Sequence, residues 1–285
     1  MKNSIPSIQA RLKAIAEQEN TAYQLVLIRY FTERLMYRLS TSTYRQHFCL
    51  KGGVLLYAHE RESSRPTMDL DLLGLHISND QEQMKAVFQT ICQIECPEDG
   101  VSFLHETIEA SEIKKEGRYS GVRIKIDGRL GNIRQMSQID IGFGDIATPA
   151  PVEMIYPTLL PMPAPKILAY SLETVIAEKF EAMITLAAQN SRMKDFYDVY
   201  RLLENFEIHD AILRTAIQNT FRQRETLIEQ DHVVFSSEFA RNARRQQEWG
   251  AFLKKMGRFT EVKSLTFEEV MFVIQNRLKQ IYAEL

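Results

Sequence analysis

Residues 50–74 read LKGGVLLYAHERESSRPTMDLDLLG, and this stretch decides the fold. Gly52-Gly53 follows the short run His47-Phe48-Cys49-Leu50, and the pattern predicts a strand that turns into a helix over 54–60. Adjacent glycines let the backbone approach a ligand closely, and the helix N-terminus behind them offers N–H groups to a phosphate. A plain tight turn uses the same residues. Past the polar loop 61–67, Asp69–Leu75 alternates carboxylate with leucine, which predicts a strand with one acidic and one apolar face. Asp69 and Asp71 then leave the strand on the same side, about 7 Å apart. Such a pair repels unless a cation sits between the two, and a hard divalent ion such as magnesium meets that need. Two solvated acids on an edge strand fit the pattern as well.

Working outward, apolar residues at helical spacing predict a helix over 7–39 and another over 80–95. Further strands are expected near 101–108, 120–127 and 136–143. The last, Ser137-Gln138-Ile139-Asp140-Ile141-Gly142-Phe143, alternates cleanly and sets Asp140 opposite its isoleucines. Placed on a strand beside Asp69 and Asp71, Asp140 would complete a three-carboxylate site able to hold two metal ions for phosphoryl or nucleotidyl transfer. Residues 147–165 hold six of the nine prolines and form the expected domain boundary. Helices follow at about 171–189, 192–204, 208–223, 236–256 and 266–283. The expected layout is 1–160, a mixed α/β half with its N-terminal helix, then 161–285, an all-α half.

The order Gly-Gly, Asp-x-Asp on one strand and a further Asp on a later strand resembles the DNA polymerase β-like nucleotidyltransferase pattern. Two segments narrow the resemblance: Leu172–Phe180, LETVIAEKF, and Arg192–Tyr200, RMKDFYDVY. With residues 50–74 they are similar to the AbiEii/AbiGii toxin family of nucleotidyltransferases, which includes abortive-infection toxins and the MenT toxins. The resemblance runs through residues 50–205. It implies an α+β fold: a polymerase β-like mixed sheet with flanking helices, then a helical C-terminal domain. It also implies an NTP-dependent, magnesium-requiring toxin that transfers a nucleoside monophosphate to an RNA acceptor, the tRNA 3′ end, and is neutralised by a cognate antitoxin protein.

By that resemblance Gly52, Gly53 and Thr67 bind nucleotide phosphate, and Asp69 and Asp71 hold magnesium, with Asp140 as a third ligand. Lys179 contacts the triphosphate. Asp195 is an essential acid that aligns or deprotonates the acceptor hydroxyl, and Asp198 is its neighbour. Val54 stands where members of the family often carry Thr, so contact there rests on the backbone N–H. A lysine ammonium is a compact charge suited to a triphosphate.

The whole chain has 285 residues, 45% of them hydrophobic and 25% charged, with a net charge of -2; these values exclude both a disordered chain and a polybasic coat protein. Charge is nevertheless local. Residues 241–258, RNARRQQEWGAFLKKMGR, carry six basic residues and one acid. Arg241, Arg244, Arg245, Lys254, Lys255 and Arg258, with Trp249 between the clusters, make a candidate RNA surface. Three scattered cysteines fit the reducing cytoplasm, and the absence of a long apolar run predicts no membrane span. Two other readings remain open from the residues: nucleotidylation of a small molecule such as an antibiotic, and an inactive binding module.

Overall fold

The computed structural model describes residues 4–61, 64–113, 121–256 and 265–285. The chain divides into two compact units: residues 1–144 with 152–169, and residues 145–151 with 170–285. The proline-rich stretch is therefore shared. Residues 145–151 go with the helical unit, whereas 161–169 stay with the sheet, so the division does not fall at residue 160.

The first unit is built on a mixed sheet. Its strands are β1 (Phe48–Lys51), β2 (Asp69–Gly74), β3 (Val101–Phe103), β4 (Glu109–Ile113), β5 (Gly121–Leu130), β6 (Ile133–Phe143), β7 (Val152–Ile155) and β8 (Lys166–Ala169). They run in the order β3-β5-β6-β2-β1-β8-β7, with β4 also on β5. β2 is parallel to β6 and antiparallel to β1, which is in turn parallel to β8. The long β5–β6 hairpin closes through Gly131-Asn132, with Leu130 opposite Ile133.

One face of the sheet is apolar and buried: Leu70, Leu72, Val122, Ile124, Ile126, Ile139 and Ile141 are each at most 2% exposed. Among the described residues the unit also holds the helices α1 (Ile5–Gln18), α2 (Tyr23–Thr41), α3 (Gly52–Glu60) and α4 (Gln81–Cys92). The expected single helix over 7–39 is two, because Asn20 takes a positive φ of 48°. Asparagine tolerates that left-handed conformation better than most residues. Asp80 caps α4 through the Gln83 N–H, and Met84, Val87, Phe88, Ile91 and Cys92 form its buried stripe.

The second unit is helical: α5 (Leu172–Leu186), α6 (Met193–Asn205), α7 (Asp210–Gln223), α8 (Ser237–Arg241), α9 (Ala243–Met256) and α10 (Phe267–Ala283). Ser171 caps α5 through the Thr174 N–H. The segment 145–151 is tied in by Thr148, whose N–H and C=O both bond the Thr174 hydroxyl. Asp145 is bound by Arg224 at the end of α7. The expected helix 236–256 is broken at Asn242 into α8 and α9. A capping box of Thr266 and Glu269 starts α10. Among the described residues no helix is long and apolar enough to cross a membrane.

Candidate active site

The face of the sheet opposite the apolar one carries a row of charges. Residues directly opposite one another on paired strands share a face. At one level Lys51 on β1 lies opposite Asp71 on β2, Asp71 beside Asp140 on β6, and Asp140 opposite Arg123 on β5. One level along, Asp69 lies beside Gln138, and Gln138 opposite Lys125. All seven side chains are partly exposed.

Asp69, Asp71 and Asp140 thus share one face of adjacent strands, as their spacing predicts, but Asp140 is already engaged. Arg123 grips it with two hydrogen bonds, Nε to Oδ1 at 2.8 Å and Nη2 to Oδ2 at 2.7 Å. The guanidinium is held above its usual pKa first by that hydrogen bond and then, against partial burial, by the charges of Asp140, Asp69 and Asp71. Asp140, expected as a third metal ligand, is here the partner of Arg123, an arginine that the spacing along one strand does not point to. The signal for it was present: the Gly131-Asn132 turn fixes the hairpin register, and counting seven residues back from each side reaches Arg123 and Asp140.

The glycine turn is built against this row. Gly52 has φ +68°, and a Cβ there would collide with the carboxylate of Asp71. A Cβ on Gly53 would lie 2.6 Å from the Thr67 hydroxyl. Lys51 is the N-cap position of α3, and its side chain makes no capping bond. Gly52, Gly53, Thr67 and Asp71 are therefore brought together, at the N-terminus of a helix, as a phosphate site requires.

Among the described residues, no three His, Cys, Asp or Glu side chains are grouped to hold a metal ion by themselves. Magnesium does not demand such a cage. It retains waters and is held by one or two carboxylates together with substrate phosphates. The oxygen donors of Asp69 and Asp71, beside the glycine turn at the start of α3, fit that ion.

In the second unit Lys179 on α5 meets both aspartates of α6. Its Nζ lies 2.7 Å from Asp195 Oδ1 and 2.8 Å from Asp198 Oδ2. Arg192, also without a role in the sequence reading, places its Nε 2.7 Å from Asp195 Oδ2. Asp195 has no exposed surface. A carboxylate buried between two cations orients the lysine. Asp198 is likewise a partner of Lys179.

The candidate RNA surface is only partly a surface. Arg245 is 5% exposed, and its guanidinium donates to the carbonyls of Ala187, Ala188 and Asn190 while lying over the Phe239 ring. Trp249 is 2% exposed and donates from Nε1 to the Leu265 carbonyl. Neither can grip or stack on RNA from there. Arg241 and Arg244 are exposed and paired with Glu268 and Glu248. Lys254 and Lys255 are exposed, and Arg258 lies outside the described residues.

Residues 34–273 match the model of a family described as "Nucleotidyl transferase AbiEii toxin, Type IV TA system". The match spans well over half the chain, so the protein is of the nucleotidyltransferase class. More narrowly, it belongs to the AbiEii toxin family of type IV toxin–antitoxin systems. Membership implies an antitoxin partner. No curated protein is a significant match to the sequence. Among solved structures the chain is similar to JHP933 from Helicobacter pylori, at 11% identity and a TM-score of 0.46, covering 88% of this chain and 89% of that one. It is also similar to an antigenic nucleotidyltransferase-like protein from Paracoccidioides brasiliensis, at 15% identity and a TM-score of 0.37, covering 70% and 88%.

Proposed function

We propose that this chain moves a nucleoside monophosphate from an NTP to the hydroxyl at an RNA end, the tRNA 3′ end, and so stops translation in the cytoplasm until its antitoxin intervenes. The observation that carries this reading is the contact between the glycine turn and Asp71. That contact sets the N-terminus of α3, whose free N–H groups suit a phosphate, against a strand carboxylate. Asp69 and Asp71 would hold magnesium, which when bound supplies charge neutralisation at the triphosphate and polarises the α-phosphorus. The Gly52-Gly53 backbone and the Thr67 hydroxyl bind the phosphates. In the helical unit, Asp195 and Asp198 hold the Lys179 ammonium, a compact cation of the kind that binds nucleotide phosphates. The acceptor oxygen bonds the α-phosphorus, the bond to the bridging oxygen breaks, pyrophosphate leaves, and the hydroxyl proton passes to water.

Purified protein incubated with magnesium, total RNA and each α-labelled NTP in turn provides the test. Label should enter an RNase-sensitive product, tRNA-sized, with one NTP preferred. Asp71→Asn should lower transfer by at least about 1,000-fold, and Gly52→Ala by about 100-fold or more, because it forces the Asp71 carboxylate aside. Label that enters only a small molecule, or no label transfer with any NTP, would defeat the proposal.

A further inference from the structure

The charged face of the sheet has a direction. At the level of Asp71 it reads Lys51, Asp71, Asp140, Arg123 and then Ser111 on β4; at the level of Asp69 it reads Asp69, Gln138, Lys125 and Glu109. The glycine turn follows Lys51 at one flank. Arg123 and Lys125 stand on the other, two strands beyond the aspartates of β2, or roughly 10 Å at the usual strand spacing. Arg123 is 36% exposed, and its pairing with Asp140 uses Nε and Nη2 but not Nη1. It is a guanidinium fixed in place with one edge outside the pair.

Nucleotidyl transfer is an in-line displacement: the attacking oxygen and the leaving pyrophosphate lie on opposite sides of the α-phosphorus. If the triphosphate rests on the glycine turn, the acceptor hydroxyl approaches from the β6–β5 side. A strand ending in a 3′-hydroxyl carries its last phosphodiester one nucleotide behind that hydroxyl. We propose that Arg123, anchored by Asp140 and flanked by Lys125, binds the terminal phosphodiester of the RNA acceptor and sets its approach. This rests on the nucleotidyl-transfer reading above. It makes Asp140 a positioning residue rather than a metal ligand. It also requires an acceptor that bears a phosphate, which favours an RNA end over a neutral small molecule. The bond changes are those already given: the 3′-oxygen gains the α-phosphorus, pyrophosphate departs and the proton goes to water.

The test uses the full chain and three probes: 5′-labelled total tRNA, Mn2+ followed by its paramagnetic signal, and NTP binding in the presence of Mn2+. Arg123→Ala should weaken tRNA binding about tenfold or more. It should also lower the slope of log affinity against log salt by about one, the signature of one lost phosphate contact. Mn2+ and NTP affinities should stay within about twofold. Arg123→Lys should recover part of the affinity, since it keeps the charge and loses the two-pronged grip. Asp140→Asn should reproduce the tRNA defect and leave Mn2+ binding intact. The proposal is overturned if Arg123→Ala and Arg123→Lys bind tRNA as wild type does, or if Asp140→Asn loses Mn2+ as Asp71→Asn does. It is equally overturned if Arg123→Ala leaves the salt dependence of tRNA binding unchanged. Wild-type protein that transfers label while Arg123→Ala binds tRNA normally removes this proposal alone; wild-type protein that transfers no label removes the nucleotidyltransferase reading with it.

Discussion

Glu33 sits on α2 with 1% of its surface exposed, one oxygen 2.7 Å from Arg34 Nη2 and the other accepting from the Leu159 N–H. Burial raises its pKa from 4.5 to about 7 despite Arg34 and the Leu159 bond, which pull it down. The folded chain thus holds this proton more tightly than the unfolded chain. Glu33 favours the fold fully below about pH 4.5, and that contribution is lost as pH rises toward 7. Thermal midpoints should therefore carry a component that falls from pH 5 to 7.5, and Glu33→Gln should flatten it; equal slopes in the two proteins would sink the assignment. Individual residues were legible to different depths in the sequence. Strand alternation placed Asp69, Asp71 and Asp140 on one face correctly. Arg123 escaped because spacing along one strand says nothing of the strand opposite until a turn fixes the register. Arg245 was misplaced although its position was readable: it stands four residues before Trp249, on the stripe continued by Met256, and that stripe is buried.

At the scale of elements, α5 and α6 are joined by the Lys179 ammonium between Asp195 and Asp198. The two carboxylates are at most 2% exposed in their side chains and Lys179 is 12% exposed. Removing the cation takes a partner from two buried acids, although Asp195 keeps Arg192, and breaking a buried pair in this way costs up to about 3–5 kcal/mol. Lys179→Ala should accordingly show a urea midpoint well below wild type, and an unchanged midpoint would show that the pair adds nothing. A toxicity assay on that variant must be read beside its stability. Helices with strong apolar stripes, such as α4 and α10, were legible from period alone. Two breaks were not: Asn20 divides α1 from α2, and Asn242 divides α8 from α9. In both places the flanking pattern continues in helical phase, and only the backbone reveals the interruption. Strands β7 and β8 were missed because four residues are too few to show alternation, and because prolines between them suggested a linker.

For the whole molecule, those missed strands matter most. β8 pairs with β1 at Cys49↔Leu168 and Leu50↔Ala169, and so covers the strand that leads into the glycine turn. A fragment of residues 1–160 would leave β1 as a bare edge, whereas 1–169 keeps it paired. The longer fragment should unfold cooperatively in urea and stay monomeric, and the shorter should aggregate; similar behaviour of the two would show that β8 is dispensable to the sheet. The same pairing sets a clock during synthesis. Lys51 leaves the ribosome 118 residues before Ala169. At about 5–20 residues per second, β1 spends roughly 6–24 s without its parallel neighbour. The strand that leads into the glycine turn is thereby left open on one side while the chain is made, and a partner that recognised bare β1 would meet the nascent chain before its sheet was sealed.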